Sequence, residues 1–556
     1  MLQRTRAPER AVLLFFGALL AFFLIANRGA YKGYFFDDSL DNIALNRDLP
    51  ASEYWKGLTL PVYYEHNFRP VGHLFFRWMG QAAGLHFQPY VAFLQVLHLV
   101  NVWLVYALLW RLAFDPFPAC AGALLYAFHM AVFDVYWEPM YVFDLLCAFF
   151  CLLSLLAYIG NRWLLSFIAF WLAYRSKEVA LMLPVALGAY ELLLAQRRWK
   201  RLGPFFLVSL WFGARSILRS HSAAVSDYTL YFDPASVWTC LRFYASKLLL
   251  IPYAGFAILL LWLIRDRRLL FGMASFCALM APMLALPGRL YAAYLYTPLI
   301  GLAVAFAVLA SRFSAVWVAL FFAVWLPWNY INLRRNRHAE LAQADWNRGY
   351  VRGLQLLTRE NPQLTTFLHA GGPLRPYGAE GALRLLRPGE KLQFGVLDDP
   401  ASHALLKSPE LAILNFFWPK SELEPLIRKP DTPDVSYIEM RDETPVWQLD
   451  EGWHRREGWF RRIEPNATAH LFRPANATRF ELIANADRPP SAVEMLLNGV
   501  SIGSREFTMQ GWNSTRWDLA PAPAGPVQVR FRASPTDPQH RLGIGGFGFL
   551  PLERGR

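Results

Sequence analysis

Long apolar runs recur along the chain as far as Tyr330 and then stop. A helix that crosses about 30 Å of hydrocarbon needs roughly 20 mostly apolar residues, because each residue adds about 1.5 Å. Segments with this pattern, of which the fifth is short, are 11–27, 88–110, 117–136, 140–159, 162–174, 178–195, 203–219, 247–264, 269–286, 290–310 and 313–331. The pattern predicts a mainly α-helical polytopic membrane protein with about eleven transmembrane helices.

The polar and apolar pattern divides the chain into three predicted domains. Residues 1–331 form the transmembrane domain, whose first external loop is 28–87. Residues 332–436 open with an amphipathic helical stretch and continue as a mixed α/β segment. Residues 437–556 contain short alternating runs bounded by Pro, Gly, Asn and Asp, with "LNGVSIG" as a hairpin turn; this is typical of a β-sandwich.

The predicted sandwich is similar to jelly-roll carbohydrate-binding modules. Its tryptophans have two interpretations: they stack on sugar rings, or they pack in the core. They are Trp447, Trp453, Trp459, Trp512 and Trp517.

Composition supports a membrane location and gives an orientation. Only 17% of the residues are charged, whereas soluble domains carry about 25%. Short basic loops mark the cytoplasmic face, and here they are "QRRWKRLG", "IRDRR" and the segment before the first helix. This places the N-terminus in the cytoplasm and the C-terminal region outside. The first apolar run lacks a small-x-small cleavage site, so we expect a retained helix.

Charge and cysteine usage exclude other classes. The net charge of +13 comes from scattered arginines, which suits membrane surfaces, and no nucleic acid partner is expected. The five cysteines lie in or beside the predicted spans, and the external region has none. Neither a disulfide framework nor a CxxC zinc site is therefore implied.

The first external loop carries two adjacent carboxylates, Asp37 and Asp38. Apolar residues at helical spacing predict an interfacial helix that begins at Pro70, and a shorter helix is expected from Asp38 to Asn46. The pair has two interpretations. An ordinary helix N-cap beside a solvated partner is one. A general base with its partner is the other, because repulsion and partial desolvation favour proton uptake by one of them.

Other ionisable residues fall at the external ends of predicted helices. Ionisable groups near a membrane often mark a working site, although each alone is also explained as an anchor or an ion pair. These residues are Arg69, Asp134, Glu138, Asp144, Arg175, Lys177 and Arg289. Their convergence on one side predicts an outward cavity suited to a reaction in which a hydroxyl loses a proton and a phosphate leaves.

Ordered segments of the membrane half resemble a known enzyme family. They are "FFDDSLDNIALNRDL" with "FRPVGHLFF" and "HLVNVWLVYALL", then "AFHMAVFDVYWEPMYVFDLLCAFFCLLSLLAY", "RSKEVALMLPVALGAYELLL" and "YLYTPLIGLAVAF". The chain resembles GT-C fold polyprenyl-phosphate-sugar-dependent glycosyltransferases, and this half is most similar to the transmembrane and TPR-repeat O-mannosyltransferases and their bacterial relatives. No 34-residue TPR period is present after Tyr330.

The resemblance implies a transferase in the bacterial inner membrane. It would move a sugar from a polyprenyl-phosphate carrier to a hydroxyl of a glycan, lipid or protein at the periplasmic face. The family's acidic and basic motif positions match Asp37, Asp38, Arg69, Asp134, Asp144, Lys177 and Glu178. The chain departs from the family at Ala292 and Ala293, which replace a Glu-Arg pair, and at Val142, which replaces an arginine.

We assign expected roles to these matched residues and to Arg289 and Glu138, which the family motifs do not cover. Asp37 is expected to act as general base, with Asp38 and Asp134 orienting the acceptor or stabilising developing positive charge. Arg69, Lys177 and Arg289 are expected to neutralise the departing phosphate. Glu138, Asp144 and Glu178 are further expected substrate-binding residues. Carboxylates and phosphate suit Mg²⁺ or Mn²⁺, but monophosphate-donor relatives generally use no metal, so neither metal nor cofactor is assigned.

Two other functions stay open at this stage. A transporter or flippase of lipid-linked glycan would use the same charged groups to line a pathway. A catalytically degenerate scaffold would bind glycan through its sandwich and perform no transfer.

Overall fold

The computed structural model describes residues 10–60, 68–222, 227, 229–397, 399–427, 435–440, 448–536 and 542–551. Trp447 lies outside these ranges. The chain forms two compact units, Met1–Arg348 and Gly349–Arg556. The finer division into three domains stays a prediction.

The first unit is helical, with mostly long helices and short 3₁₀ turns between them. The α-helices that begin in it are α1 (Arg10–Asn27), α2 (Asp37–Asp48), α3 (Ala51–Thr59), α4 (Pro70–Ala83), α5 (Phe87–Arg111), α6 (Pro116–Ala127), α7 (Val142–Ile159), α8 (Trp163–Ser176), α9 (Leu183–Leu193), α10 (Gly203–Ser222), α11 (Pro234–Leu248), α12 (Arg267–Met280), α13 (Leu299–Arg312) and α14 (Ala315–Glu360). The 3₁₀ helices are Arg28–Lys32, Met130–Tyr136, Pro139–Tyr141, Glu178–Met182, Trp199–Leu202, Ala254–Leu263, Ala281–Ala285 and Ala292–Leu295.

Several of these helices have the length and composition of membrane spans. Among the described residues, five candidates are Arg10–Lys32, Phe87–Arg111, Pro139–Ile159, Arg267–Ala285 and Ala315–Glu360. A sixth is the pair Pro116–Ala127 and Met130–Tyr136, which is bent by 70°. The chain is thus a mainly helical membrane protein, and the count of eleven spans stays a prediction.

The segment 247–264 does not form the continuous helix that its apolar pattern predicts. Helix α11 ends at Leu248, and a separate 3₁₀ helix covers Ala254–Leu263. Leu250 and Tyr253 have φ angles of 56° and 60°, a left-handed conformation that no continuous right-handed helix contains. The apolar pattern of this segment therefore did not specify its backbone conformation.

The first external loop folds as predicted in the part that the structure describes. Helix α4 begins with Pro70 in its first turn, where the missing N–H has no helical partner to lose. Helix α2 covers the shorter predicted helix and packs against α4. Residues 61–67 lie outside the described ranges.

The second unit contains a small α/β sheet and a β-sandwich. Its helix is α15 (Pro376–Leu386), with a 3₁₀ helix at Pro400–Lys407. The first strands are β1 (Thr366–His369), β2 (Gln393–Val396), β3 (Leu411–Leu414), β4 (Phe416–Phe417), β5 (Glu422–Leu423) and β6 (Leu426–Ile427). One sheet has the order β2-β1-β3-β6, with the first three strands parallel, and β4 pairs with β5.

The sandwich confirms the predicted strand pattern. Its strands are β7 (Tyr437–Glu439), β8 (Trp453–Glu457), β9 (Phe460–Ile463), β10 (Asn466–Arg473), β11 (Ala477–Ala486), β12 (Ser491–Leu497), β13 (Val500–Phe507), β14 (Asn513–Asp518), β15 (Gly525–Ser534) and β16 (Leu542–Pro551). One sheet has the order β10-β15-β12-β13, and the other β14-β11-β16-β9-β8 with β7 beside β16. Alternate residues of both sheets form one core.

Candidate functional site

The adjacent carboxylates Asp37 and Asp38 lie in the first turn of α2, and both are partly buried. The N-cap position belongs to Phe36, so the N-cap interpretation of the pair is wrong. Carboxylates in a first turn are stabilised by the helix dipole. Helix α2 contacts the turn Pro139–Tyr141, and Asp38 is close enough to Glu138 for their charges to interact.

Three carboxylates meet beside this turn and form what we call the acid triad: Asp134, Glu138 and Glu340. One carboxylate oxygen from each of the three residues lies within 4.8 Å of the other two. Asp134 comes from the 3₁₀ helix after the bend that follows α6, and Glu340 comes from α14. Oδ1 of Asp134 is buried and has no hydrogen-bond partner among the described residues. Lys247, on α11, is a cation close enough to act on Asp134.

The acid triad concentrates negative charge in a partly buried place. The carboxyl groups of Glu138 and Glu340 are close enough to interact directly, and two such groups share a hydrogen bond only when one of them carries a proton. Repulsion among the three acids is relieved either by such a proton or by a cation. The oxygen donor set suits Mg²⁺ or Mn²⁺, and the same carboxylates suit proton transfer from a hydroxyl.

Lys177 and Asp144 form a buried ion pair. The ammonium of Lys177 lies 2.6 Å from both carboxylate oxygens of Asp144, and little of either side chain is exposed. Asp144 stands in the first turn of α7, and Lys177 follows the last residue of α8. The pair therefore fixes the ends of two helices relative to each other.

Arg69 and Glu178 form a second, more open ion pair. Nε and Nη2 of Arg69 each donate to one oxygen of Glu178 at 2.9 Å. This parallel geometry gives a strong and directional contact. Arg69 also lies over the ring of Phe143, while 47% of the Glu178 side chain is exposed.

His73 lies in helix α4, one turn from Arg69. Its Nδ1 lies 2.8 Å from the amide nitrogen of Asn46, and its ring stacks on Phe68. Burial, with a further contribution from the positive charge of Arg69, lowers the pKa of His73 to about 3. The imidazole is therefore a neutral hydrogen-bond acceptor near neutral pH.

Tyr294 contacts two cationic side chains of the site, Arg289 and Lys177. Its hydroxyl accepts a hydrogen bond from Nε of Arg289 at 3.1 Å, and its ring lies 4.5 Å from the ammonium of Lys177. The charge of Arg69 also acts on Tyr294. We call Arg69, Lys177 and Arg289 the cation cluster.

Tyr141 joins the acid triad to the cation cluster. It is near enough to Glu138 and Asp134 on one side, and to Asp144 on the other, for their charges to act on its hydroxyl. The acid triad and the Asp144–Lys177 ion pair, which come from segments far apart in sequence, thus both lie within electrostatic range of Tyr141. Arg175, in contrast, stacks on Trp171 and donates to the carbonyl of Leu60, so it holds α3 against α8.

Most site residues predicted from the sequence take part in these contacts: Arg69, Asp134, Glu138, Asp144, Lys177, Glu178 and Arg289. Asp38 lies within reach of Glu138, and Asp37 shares the first turn of α2 with Asp38. Sequence reasoning missed four side chains that also take part: Tyr141, Lys247, Tyr294 and Glu340. Tyr294 stood inside a quoted family segment. Glu340 carried no signal, because it belongs to an amphipathic stretch whose polar residues look solvated.

Comparisons with known proteins add little. No protein-family model matches the chain, and no curated protein matches it. Among solved structures, a carbohydrate-binding module CBM36 in complex with calcium and xylotriose matches 21% of this chain and 100% of its own, at 14% identity and a TM-score of 0.18. The arabinosyltransferase EmbB from Mycobacterium smegmatis matches 99% of this chain at 12% identity and a TM-score of 0.26. This chain covers 65% of that enzyme. Neither likeness is strong enough to carry an argument.

Proposed function

We propose that the protein is an integral membrane glycosyltransferase that moves a sugar from a polyprenyl-phosphate carrier to an acceptor hydroxyl at the external face of the membrane. One observation carries the proposal: the clustered carboxyl groups of the acid triad and the ion pair of Asp144 with Lys177 both lie near Tyr141. Sugar transfer from a lipid phosphate needs both functions next to each other, since a proton leaves the acceptor while negative charge builds on the phosphate.

The acidic side would handle the proton. Asp37 accepts it from the acceptor hydroxyl as that oxygen bonds to the anomeric carbon. Asp38 and Asp134 orient the acceptor or stabilise positive charge on the sugar. General-base assistance of this kind typically contributes about 10²–10⁴-fold in rate.

The basic side would receive the phosphate. The bond from the anomeric carbon to the phosphate oxygen breaks, and the charge left on that oxygen is met by Arg69 and Arg289. Arg69 can turn to the phosphate because its partner Glu178 is half-exposed. Lys177 acts through space, because Asp144 already holds its ammonium.

The setting follows from the predicted topology. The proposal places the N-terminus in the cytoplasm, the site and the second unit outside the inner membrane, and a glycan, lipid or protein hydroxyl as acceptor. It assigns no metal to the reaction. To test whether the acid triad binds a metal ion, the rate of sugar transfer is measured with and without a chelator. It is then measured again after Mg²⁺ or Mn²⁺ is added back.

The test uses purified protein in nanodiscs with radiolabelled polyprenyl-phosphate sugars and acceptors extracted from envelopes. Asp37→Asn is expected to lose about 10²–10⁴-fold in transfer rate. Asp48→Asn, at the exposed end of the same helix, is the matched control and should keep the wild-type rate. Unchanged transfer by both Asp37→Asn and Asp38→Asn would refute the assignment. Movement of lipid-linked glycan across vesicles without transfer would favour a flippase.

A further inference from the structure

Strand β16 contains glycines at positions where large aromatic side chains from neighbouring segments lie against it. Ile544 and Phe547 point into the sandwich core. A Cβ atom at Gly545 would lie 2.5 Å from Cζ3 of Trp459, and one at Gly543 would lie 2.9 Å from the ring of Phe460. Both approaches are too close for a real side chain, so glycine here lets aromatic rings lie against the backbone of the strand.

A partly exposed cluster of three rings, which we call the aromatic platform, contains Trp459, Phe460 and Trp512. The ring planes are inclined to one another by 41° to 78°. The centroids of the two indoles are 4.1 Å apart, and Phe460 lies 5.3 Å from Trp512. Trp459 is 44% exposed and Trp512 is 36% exposed. Each interpretation from the sequence therefore holds for some of the tryptophans. Trp453 and Trp517 pack in or against the core, whereas Trp459 and Trp512 are exposed to solvent.

A polar edge borders the platform on strand β9. Arg462 pairs with Gly543 in the sheet register. It forms ion pairs with Glu457 and Asp487, at 3.2 Å each. All three side chains are partly exposed, so the edge offers hydrogen-bond donors and acceptors without an excess of positive charge.

A second polar group lies in the same sheet, on strands β7, β11 and β14. Glu481 accepts hydrogen bonds from the hydroxyl of Tyr437 at 3.0 Å and from Nε of Arg516 at 2.8 Å. Ser514 donates to the same carboxylate. The hydroxyl of Tyr437 is also next to Gly546, one residue beyond Gly545. Here one cation, Arg516, faces one anion, Glu481.

We infer that the aromatic platform of Trp459, Phe460 and Trp512, whose two bordering polar groups carry no net positive charge, binds a neutral glycan. A sugar ring offers a flat C–H face that covers exposed aromatic rings, and a rim of hydroxyls that meets carboxylate and guanidinium groups. Acidic polymers and anionic lipid surfaces require unneutralised cations, whereas Arg462 and Arg516 already have acidic partners. The proposed glycan-binding site and the proposed transfer site share no residues. Glycan binding is therefore expected whether or not the protein catalyses transfer.

The experiment measures binding of the full-length protein in detergent to arrayed neutral hexose and pentose oligosaccharides and to their acidic counterparts. Wild-type protein is expected to bind at least one neutral glycan. A double variant, Trp459→Ala with Trp512→Ala, should bind it at least about tenfold more weakly, since two stacking rings are lost. Trp459→Phe keeps a ring and should lose less.

Two controls separate this site from others. Trp418→Ala removes a tryptophan that is 49% exposed elsewhere in the second unit, and it should leave binding unchanged. Asp37→Asn should also bind normally, so failed transfer and failed glycan binding remain distinguishable. The inference is overturned if wild-type protein binds no neutral glycan, if it binds only acidic ones, or if the double variant keeps wild-type affinity with an unchanged melting temperature.

Discussion

The individual ion pairs of the site differ in how firmly they are held. Lys177 and Asp144 are buried together, whereas Arg69 shares its charge with the half-exposed Glu178. A buried pair depends on both partners, because removal of one leaves an uncompensated charge in a medium of low dielectric constant. Lys177 therefore has a structural task beside its proposed electrostatic one.

Asp144→Asn is expected to reduce the free energy of unfolding by about 3–5 kcal/mol, since it leaves Lys177 buried without its anion. Thermal unfolding of the purified protein measures this. Glu53→Gln, which breaks the exposed pair with Lys56, should cost less than about 1 kcal/mol. Similar costs for both variants would show that the buried pair contributes no more than a surface contact.

His73 makes the stability of the first external loop depend on pH. Its pKa is about 3 in the folded protein and about 6.5 in an unfolded chain. Between these two pH values the unfolded chain therefore binds more protons than the folded protein. The free energy of unfolding is highest above about pH 6.5 and decreases by about 1.4 kcal/mol for each pH unit below that value.

Comparison of melting temperatures at about pH 7 and about pH 5 tests this dependence. His73→Gln should lose less stability on acidification than wild type, because the group that gains the proton is absent. His338→Gln, at an exposed position of α14, should behave as wild type. Parallel pH profiles for all three proteins would argue against a buried neutral imidazole.

Residue types were easier to predict than residue partners. Ionisable groups at helix ends identified Asp134 and Lys177 because such groups are costly near a membrane. Nothing in sequence spacing linked Lys177 to Asp144, or Glu340 to Asp134, because these contacts join segments brought together only by packing. Tertiary structure alone supplies them.

At the scale of elements, small residues control how closely helices approach. A Cβ atom at Gly301 on α13 would come within 2.5 Å of the backbone nitrogen of Phe276 on α12, and Gly272 meets α13 in the same way. Small residues at such crossings let helix backbones pack against each other, which is the main source of association between apolar helices.

Gly301→Ala should destabilise the protein by about 1–3 kcal/mol, because the two backbones must separate to admit the methyl group. The midpoint of thermal unfolding reports the change. In Gly17→Ala the new methyl group meets no atom within 4 Å, so this variant should be neutral or slightly stabilised by helix propensity. Equal melting temperatures for the two variants would contradict the close crossing.

The apolar pattern predicted element type better than element ends. It identified α5 and α7, and the alternating pattern identified β11 and β15, because one period persisted over each element. It missed the end of α11, where left-handed residues interrupt an apolar run. It also did not show that α14 runs on past Asn332 to Glu360, since an amphipathic sequence extends a helix as readily as an apolar one.

At the scale of the whole molecule, the proposal requires a defined orientation. Basic short loops should remain in the cytoplasm, and the turn that carries Asp37 should lie on the opposite side. The second unit would then share the external compartment with the site, where both transfer and glycan recognition are proposed.

Cysteine labelling of right-side-out vesicles tests this orientation. In a Cys277→Ala background, Asp48→Cys should react with a membrane-impermeant maleimide, and Lys200→Cys should react only after the vesicles are opened. Both positions are exposed, so a difference in labelling reports sidedness. The reverse pattern would place the site in the cytoplasm.

The most direct test is a cryo-EM structure of the protein in nanodiscs that contain a polyprenyl phosphate. The proposed function predicts density for the phosphate within hydrogen-bond distance of Arg69 and Arg289, with the acid triad facing the position of the departing sugar. A phosphate bound away from both arginines, or a lipid that passes between the helices without contacting them, would contradict it.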